Sequence, residues 1–204
     1  MAKSVTSDRL KLGTVTSPAR LSFPRLYTPK SFTPGQPPRF EAAFLLDPSN
    51  AEHKAQIEIL KKAVADLIAV KWPRGRPADL KFCIEDGNTK EYDGYKDRIV
   101  VRSANKNRPV VIDNGKNELR IGSDGVEPKI PFAGSYVVGL ITLWAQDNQF
   151  GKRINANLLG VQYVREGTPF GPGAVDVETD FETVPDAPGP TGGAAISSTP
   201  DLGF

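Results

Sequence analysis

Residues 136–145 and 154–164 constrain this chain more than any other stretch. Both runs are rich in β-branched and aromatic residues, and a polar segment at 146–151 (Gln-Asp-Asn-Gln-Phe-Gly) followed by Lys152 and Arg153 separates them. Two strand patterns split by an Asp/Asn/Gly cluster predict a β-hairpin. Residues 137–145 are apolar on both faces, which predicts a strand covered on both sides. Gly139 and Gly160 fall inside the two runs, and mid-strand glycines mark tight bends in small barrels. A mainly β fold, a small closed barrel with an inserted helix, therefore fits better than an open sheet.

The rest of the chain supplies the other walls. Residues 11–25 alternate loosely and predict a first strand with an interruption or edge at Pro18. Residues 27–38, crowded with proline, predict a loop. Residues 39–46 predict a strand with Phe40, Ala42, Phe44 and Leu46 on one face and Arg39 and Glu41 on the other. Ser49 and Glu52 have the spacing of a capping box opening a single inserted helix over about 50–71. Its stripe is Ile57, Leu60, Val64, Leu67 and Ile68, and Trp72-Pro73 ends it. His53, in its first turn, reads as a surface or helix-edge residue. Short strands are expected at 81–85, around a buried Cys83, at 98–103 and at 109–113, with loop over most of 119–129.

The net charge of +2 conceals an uneven distribution. Residues 173–204 hold six of the 24 acids (Asp176, Glu178, Asp180, Glu182, Asp186 and Asp201) and no Lys or Arg. The other 18 acids face all 26 cations, so the body carries an excess of eight positive charges. A basic body attracts polyanions, and an acidic tail can compete for the same surface. The tail is also rich in Gly, Pro, Ala, Ser and Thr, a composition that cannot bury enough apolar surface to order itself. The expected organisation is a flexible end at 1–10, one domain over 11–172 and a disordered acidic tail over 173–204. No apolar leader and no bilayer-spanning helix is expected.

Catalytic chemistry is poorly represented. One Cys and one His cannot supply the usual zinc ligands or a Ser-His-Asp arrangement. Neither a phosphate-cradling nor a dinucleotide-binding glycine motif is present. The carboxylate pairs Glu85/Asp86 and Glu91/Asp93 read as solvated turn residues. No enzyme activity, metal or cofactor is expected, although a nuclease using carboxylates and Mg²⁺ alone stays open, as does a structural or assembly β-barrel of a virion.

What remains is basic residues interleaved with aromatics. Arg20, Arg25, Tyr27, Lys30, Phe32, Arg39 and Phe40 form a first cluster. Tyr92, Tyr95, Lys96, Arg98, Arg102, Lys106 and Arg108 form a second, in which Arg98 and Arg102 share one strand face. Trp144, Phe150, Lys152, Arg153 and Tyr163 form a third, on the hairpin. Cations track a phosphate backbone and aromatic faces stack bases whatever their sequence. Tyr92 and Tyr95, phenols among charged turn residues, are expected to keep one end wet. Phe40 and Trp144 are also candidates for the core.

Over residues 12–171 the chain resembles the phage single-stranded-DNA-binding protein family. The resemblance rests on residues 19–32, 38–49, the capped helix ending at Trp72, residues 99–115 and the hairpin. Its most specific pieces are F-x-G-x-Y-V at 132–137, leading into the hairpin, and L-x-x-V-Q-x-V-R-E-G at 158–167, leading out. The resemblance implies an OB-fold that coats single-stranded DNA non-specifically in replication or recombination, in the cytoplasm of a bacterial host. It also implies an acidic tail that modulates DNA binding or recruits replication and recombination proteins. Phe204 ends the chain as a terminal Phe ends other such tails, but most of the acids lie upstream, at 176–186.

Overall fold

The computed structural model describes residues 5–31 and 35–171. The hairpin is its longest piece of sheet. Strand β8 (Tyr136–Asn148) and strand β9 (Gly151–Arg165) pair antiparallel from Tyr136↔Arg165 to Asn148↔Gly151. Both strands run further than expected, so the turn shrinks to Gln149 and Phe150, with Gly151 at φ 103°. This positive φ suits glycine because a Cβ would crowd the residue's own and adjacent peptide groups, although the space around it is open. Leu159 is extra in the ladder, since Leu140 pairs with Gly160 and Ile141 with Leu158. This bulge bends the hairpin beside Gly160, as the glycine suggested.

The remaining strands wrap around this ribbon. They are β1 (Leu10–Leu12), β2 (Ala19–Lys30), β3 (Arg39–Leu46), β4 (Lys81–Phe82), β5 (Ile84–Asp86), β6 (Ile99–Asn105) and β7 (Val110–Ile112). Along the sheet the order is β4-β9-β8-β2-β3-β6-β5, with β1 paired to β8 and β7 to β9. Residues 27–30, expected in a loop, continue β2, and Lys30 pairs with Arg39.

The ladder does not close, which corrects the expected closed barrel. Its two ends, β4 and β5, are however consecutive in the chain and separated only by Cys83. The Cys83 N–H donates to Ile154 O on β9 (2.9 Å), and Cys83 O accepts from Arg102 N on β6 (2.8 Å). One residue thus spans the seam. Residues 81–85 split into two short strands because each half pairs with a different partner. Burial pushes the Cys83 thiol up to about 12, so it remains an uncharged packing group.

The interior is filled by Leu12, Leu21, Phe44, Val101, Ile141, Leu143 and Leu158, all fully buried. Phe44 sits against Gly139, where an added Cβ would lie 2.5 Å from its ring. Helix α1 (Ala51–Lys71) covers one opening with Ile57, Leu60 and Leu67. Its N-cap is Asn50, not Ser49: the Asn50 side chain accepts from Glu52 N (2.9 Å) and His53 N (3.1 Å), while Ser49 Oγ donates to Asp47 (2.6 Å). Glu52 turns outward to accept from Thr14 (2.5 Å) and Thr16 (3.1 Å), tying the helix to the β1–β2 connection.

His53 is buried rather than on the surface. Its Nδ1 accepts from Asp47 N (2.9 Å) and its Nε2 lies 2.8 Å from Ser17 O. A carbonyl only accepts, so these partners select the tautomer protonated at Nε2. Replacing Asn50 by Ala should cost about 1 kcal/mol, read as a lower urea midpoint at unchanged slope. Ser49→Ala should cost less, and the reverse order would restore Ser49 as the cap. Among the described residues no helix is long and apolar enough to cross a membrane.

Candidate nucleic-acid interface

The outer face of β2, β3 and β6 is set by strand register. Arg25 pairs with Glu41 and Glu41 with Ala104; Ser22 pairs with Ala43 and Ala43 with Arg102. Arg20 pairs with Leu45 and Leu45 with Val100. Paired residues share a face. Because Ala42, Phe44, Leu46 and Val101 belong to the interior, these three rows point outward. Between Ser22 and Arg25 strand β2 carries one residue more than β3 does. That bulge is Phe23-Pro24, with Phe23 at φ 46° and 47% exposed. Proline has no N–H to lose from the ladder, and a bulge re-aims the side chain beside it.

Phe23 meets Tyr92 edge to face, with centroids 5.2 Å apart, and Tyr92 meets Tyr95 in the same way at 5.2 Å. Tyr95 is fully buried and its hydroxyl is 3.3 Å from Ser22 Oγ. It packs with Ala43, Leu45 and Val100 in a second small core on the outer face, against Phe170. The expectation of a wet Tyr95 is therefore corrected. Tyr95 anchors the loop that presents Tyr92, which is 49% exposed. The result is an exposed pair of rings, Phe23 and Tyr92, on the face that carries Arg25, Glu41 and Arg102.

A groove of about 570 Å³ continues from there along β2. Arg25, Lys30 and Lys129 supply its cations, Phe23 and Phe132 its rings, and Glu127 an acid that accepts from Thr28. Tyr27 lines the groove but is 8% exposed, its hydroxyl donating to Ile130 O (2.6 Å). Burial pushes its phenol up to about 12. Tyr27 is thus a structural support for the 127–132 loop rather than an open stacking face.

The two stretches that carry the family resemblance meet on the same face. Gly134 and Gly167 approach so closely that a Cβ on Gly167 would lie 2.2 Å from Gly134 O. Two cations lie over the Tyr136 ring, Arg165 at 3.6 Å and Arg20 at 4.7 Å from its centroid. Arg20 also lies 4.7 Å from the Phe170 ring and donates to Thr168 O (2.7 Å). Phe170 N donates to Ala133 O (3.0 Å), and Gly171 N to Asp93 (2.9 Å). Residues 167–171 therefore strap the Tyr92 loop to the sheet.

The other expected residues scatter. Arg39 is exposed at the start of β3, whereas Phe40 is 8% exposed and Tyr163 9%, both packing residues. Tyr163 pairs with Val137, at the far end of the ladder from the turn, so it does not join the hairpin-tip cluster. At that tip Phe150 is 74% exposed, Arg153 is exposed, and Lys152 lies 3.8 Å from Asp79. Trp144 is half-buried on the outer face beside Asn155.

Arg102 does face outward, paired to Glu85 (3.3 Å). Arg98 precedes the strand and is held by Asp47 (3.1 Å), and Arg108 by Glu118 (2.8 Å). Lys106 is exposed in the turn after β6. Asp176, Glu178, Asp180, Glu182, Asp186, Asp201 and Phe204 lie outside the described residues. Sequence reasoning missed Phe23, Lys129 and Glu41. The Phe-Pro dipeptide inside a strand pattern was the available signal for the first; nothing local marks Lys129.

Among the described residues no group of three or more His, Cys, Asp or Glu side chains is placed to hold a metal ion. A protein of the Acyrthosiphon pisum secondary endosymbiont phage 1, described as putative protein p50, is 32% identical over 85% of this chain and 92% of its own length. The C-terminally truncated single-stranded-DNA-binding protein of bacteriophage Enc34 superposes with a TM-score of 0.68 at 23% identity, covering 83% of this chain and 99% of that one. The same phage's protein in complex with single-stranded DNA superposes with a TM-score of 0.66 at 23% identity, covering 84% and 100%. These likenesses give the fold. Residues 12–189 match the family described as the Enterobacter phage Enc34 ssDNA-binding protein, and the chain belongs to that family.

Proposed function

We propose that this chain is a non-catalytic single-stranded-DNA-binding protein of phage replication or recombination, acting in the cytoplasm of the bacterial host. The observation that carries the reading is the Phe23-Pro24 bulge, which turns Phe23 outward to meet Tyr92, so that two exposed rings share one face with Arg25 and Arg102 beside a cationic groove. Bases stack on Phe23 and Tyr92 while Arg25, Arg39, Arg102, Lys30 and Lys129 follow the phosphates. Such stacking tolerates every base, and the cations make binding strongly salt-dependent. Family membership supports the same reading, since the Enc34 protein has been seen with single-stranded DNA. Phe150 and Arg153 extend the surface at the hairpin tip.

The acids of residues 173–204 compete for this face or recruit replication and recombination proteins. The strap at 167–171 supports competition, because it delivers the chain to the outer face at Asp93. Fluorescence anisotropy of labelled oligo-dT across a salt series tests both ideas. Five phosphate contacts predict a log–log slope of about −3 to −4, from roughly 0.7 per phosphate on single strands. A chain ending at Gly171 should bind more tightly than the full chain at every salt concentration. No affinity at low salt would sink the binding reading, and equal affinity of the two chains would sink the competition.

A further inference from the structure

The proposed face carries an acid on its central strand. Glu41 lies on the central strand β3, with Arg25 directly across on β2. Arg102 is diagonal on β6, because it pairs with Ala43 two residues along. Arg39 precedes it by two on the same strand face. Glu41 thus feels three guanidinium groups. Yet among the described residues its carboxylate accepts no hydrogen bond and closes no ion pair. It is half-buried, and burial pushes its carboxyl up more than the three arginines pull it down. A half-buried carboxylate with no protein donor on its oxygens is an acceptor that the donors of a ligand can engage.

An ordinary coating surface gains nothing from such a group, since it repels phosphates. It does match a base edge. Guanine offers two adjacent donors, N1–H and the 2-amino group, at the separation of two carboxylate oxygens. Thymine offers one N–H flanked by two carbonyls, which a carboxylate repels. Cytosine and adenine each offer one amino donor beside an acceptor nitrogen. Unstacked bases in single strands are read on these Watson–Crick edges, and a good bidentate pair discriminates by about tenfold or more. Phe23 and Tyr92 lie on the same face as Glu41, and a base stacked on either ring keeps its edge free to meet a neighbouring side chain.

Building on the proposed DNA-binding face, we propose that Glu41 is a specificity-determining residue that reads guanine and disfavours thymine at one position of the bound strand. The protein coats any sequence, but its grip on guanine-bearing strands is tighter.

The test uses the full chain and a labelled 15-nucleotide dT strand in which every third base is dT, dA, dG or dI. Deoxyinosine keeps the N1–H and the purine rings but lacks the 2-amino group, so it separates edge reading from stacking. Wild type should bind the dG strand about tenfold more tightly than the dI strand, and the dT strand most weakly. Glu41→Gln, nearly isosteric on an outward face, should bring the dG and dI strands within about twofold of each other and tighten binding to dT. Equal affinity of wild type for dG and dI overturns the proposal, and so does a dG preference that survives in Glu41→Gln. If the variant fails to fold, the wild-type series alone decides. Absence of binding to all four strands at low salt defeats the underlying binding reading instead, so the two failures are distinguishable.

Discussion

Replacing Phe23 and Tyr92 together by alanine should lower affinity for single-stranded DNA by roughly thirtyfold or more while the fold persists. Each stacked base is worth about 1–3 kcal/mol by alanine substitution, and 2 kcal/mol is roughly thirtyfold. Both rings are about half exposed, so little of their packing is lost from the core. They touch each other, so the single variants need not add up to the double. Tyr95→Phe is the control: it removes only a hydroxyl that sits 3.3 Å from Ser22 inside the fold, and DNA affinity should hold. Anisotropy at fixed salt reads all four proteins. A double variant that binds like wild type would move the interface elsewhere, with the hairpin tip at Phe150 and Arg153 the first place to look.

The largest effect on stability is expected at Phe44. Its ring is fully buried and occupies the space that a side chain at position 139 would need. Phe44→Ala should cost about 3–5 kcal/mol, the range for large-to-small aromatic truncations. Gly139→Ala should cost about 1–3 kcal/mol for the opposite reason, because its Cβ would press on the ring at 2.5 Å. Combined, the two changes should partly cancel, since the added methyl enters the cavity left by the ring. A coupling of at least about 1 kcal/mol is expected from urea unfolding of the four proteins. Strict additivity would mean that the strands shift to make room.

Much of this molecule was legible in the chain. The hairpin, the helix with its Ile57, Leu60 and Leu67 stripe, and the inward face of β3 follow from periodicity, which reports only which side of an element is dry. The same logic put Arg102 outward. It failed where partners decide. Ser49 and Asn50 are both good caps, and only the path of the chain after Leu46 selected Asn50. Residues 27–30 looked like loop because of their prolines, yet β3 was there to pair with. Residues 81–85 read as one strand, but two different neighbours divided them at Cys83. For the candidate site the sequence offered residue types without addresses. Tyr92 and Tyr95 are three apart and look alike, yet one is half exposed and the other fully buried.

The sequence by itself determined the class of surface: an excess of positive charge on a β body, aromatics among the cations, and an acidic segment set apart from them. Those are sums over composition and local pattern, and folding does not change them. Only the tertiary structure decided which residues share a face. Register across β2, β3 and β6 put Glu41 amid three arginines, and a single bulged dipeptide turned Phe23 outward to meet a ring some seventy residues away in the chain. Cross-strand neighbours are chosen by which strands pair and by how many residues each bulge inserts, and no local stretch of sequence carries either fact.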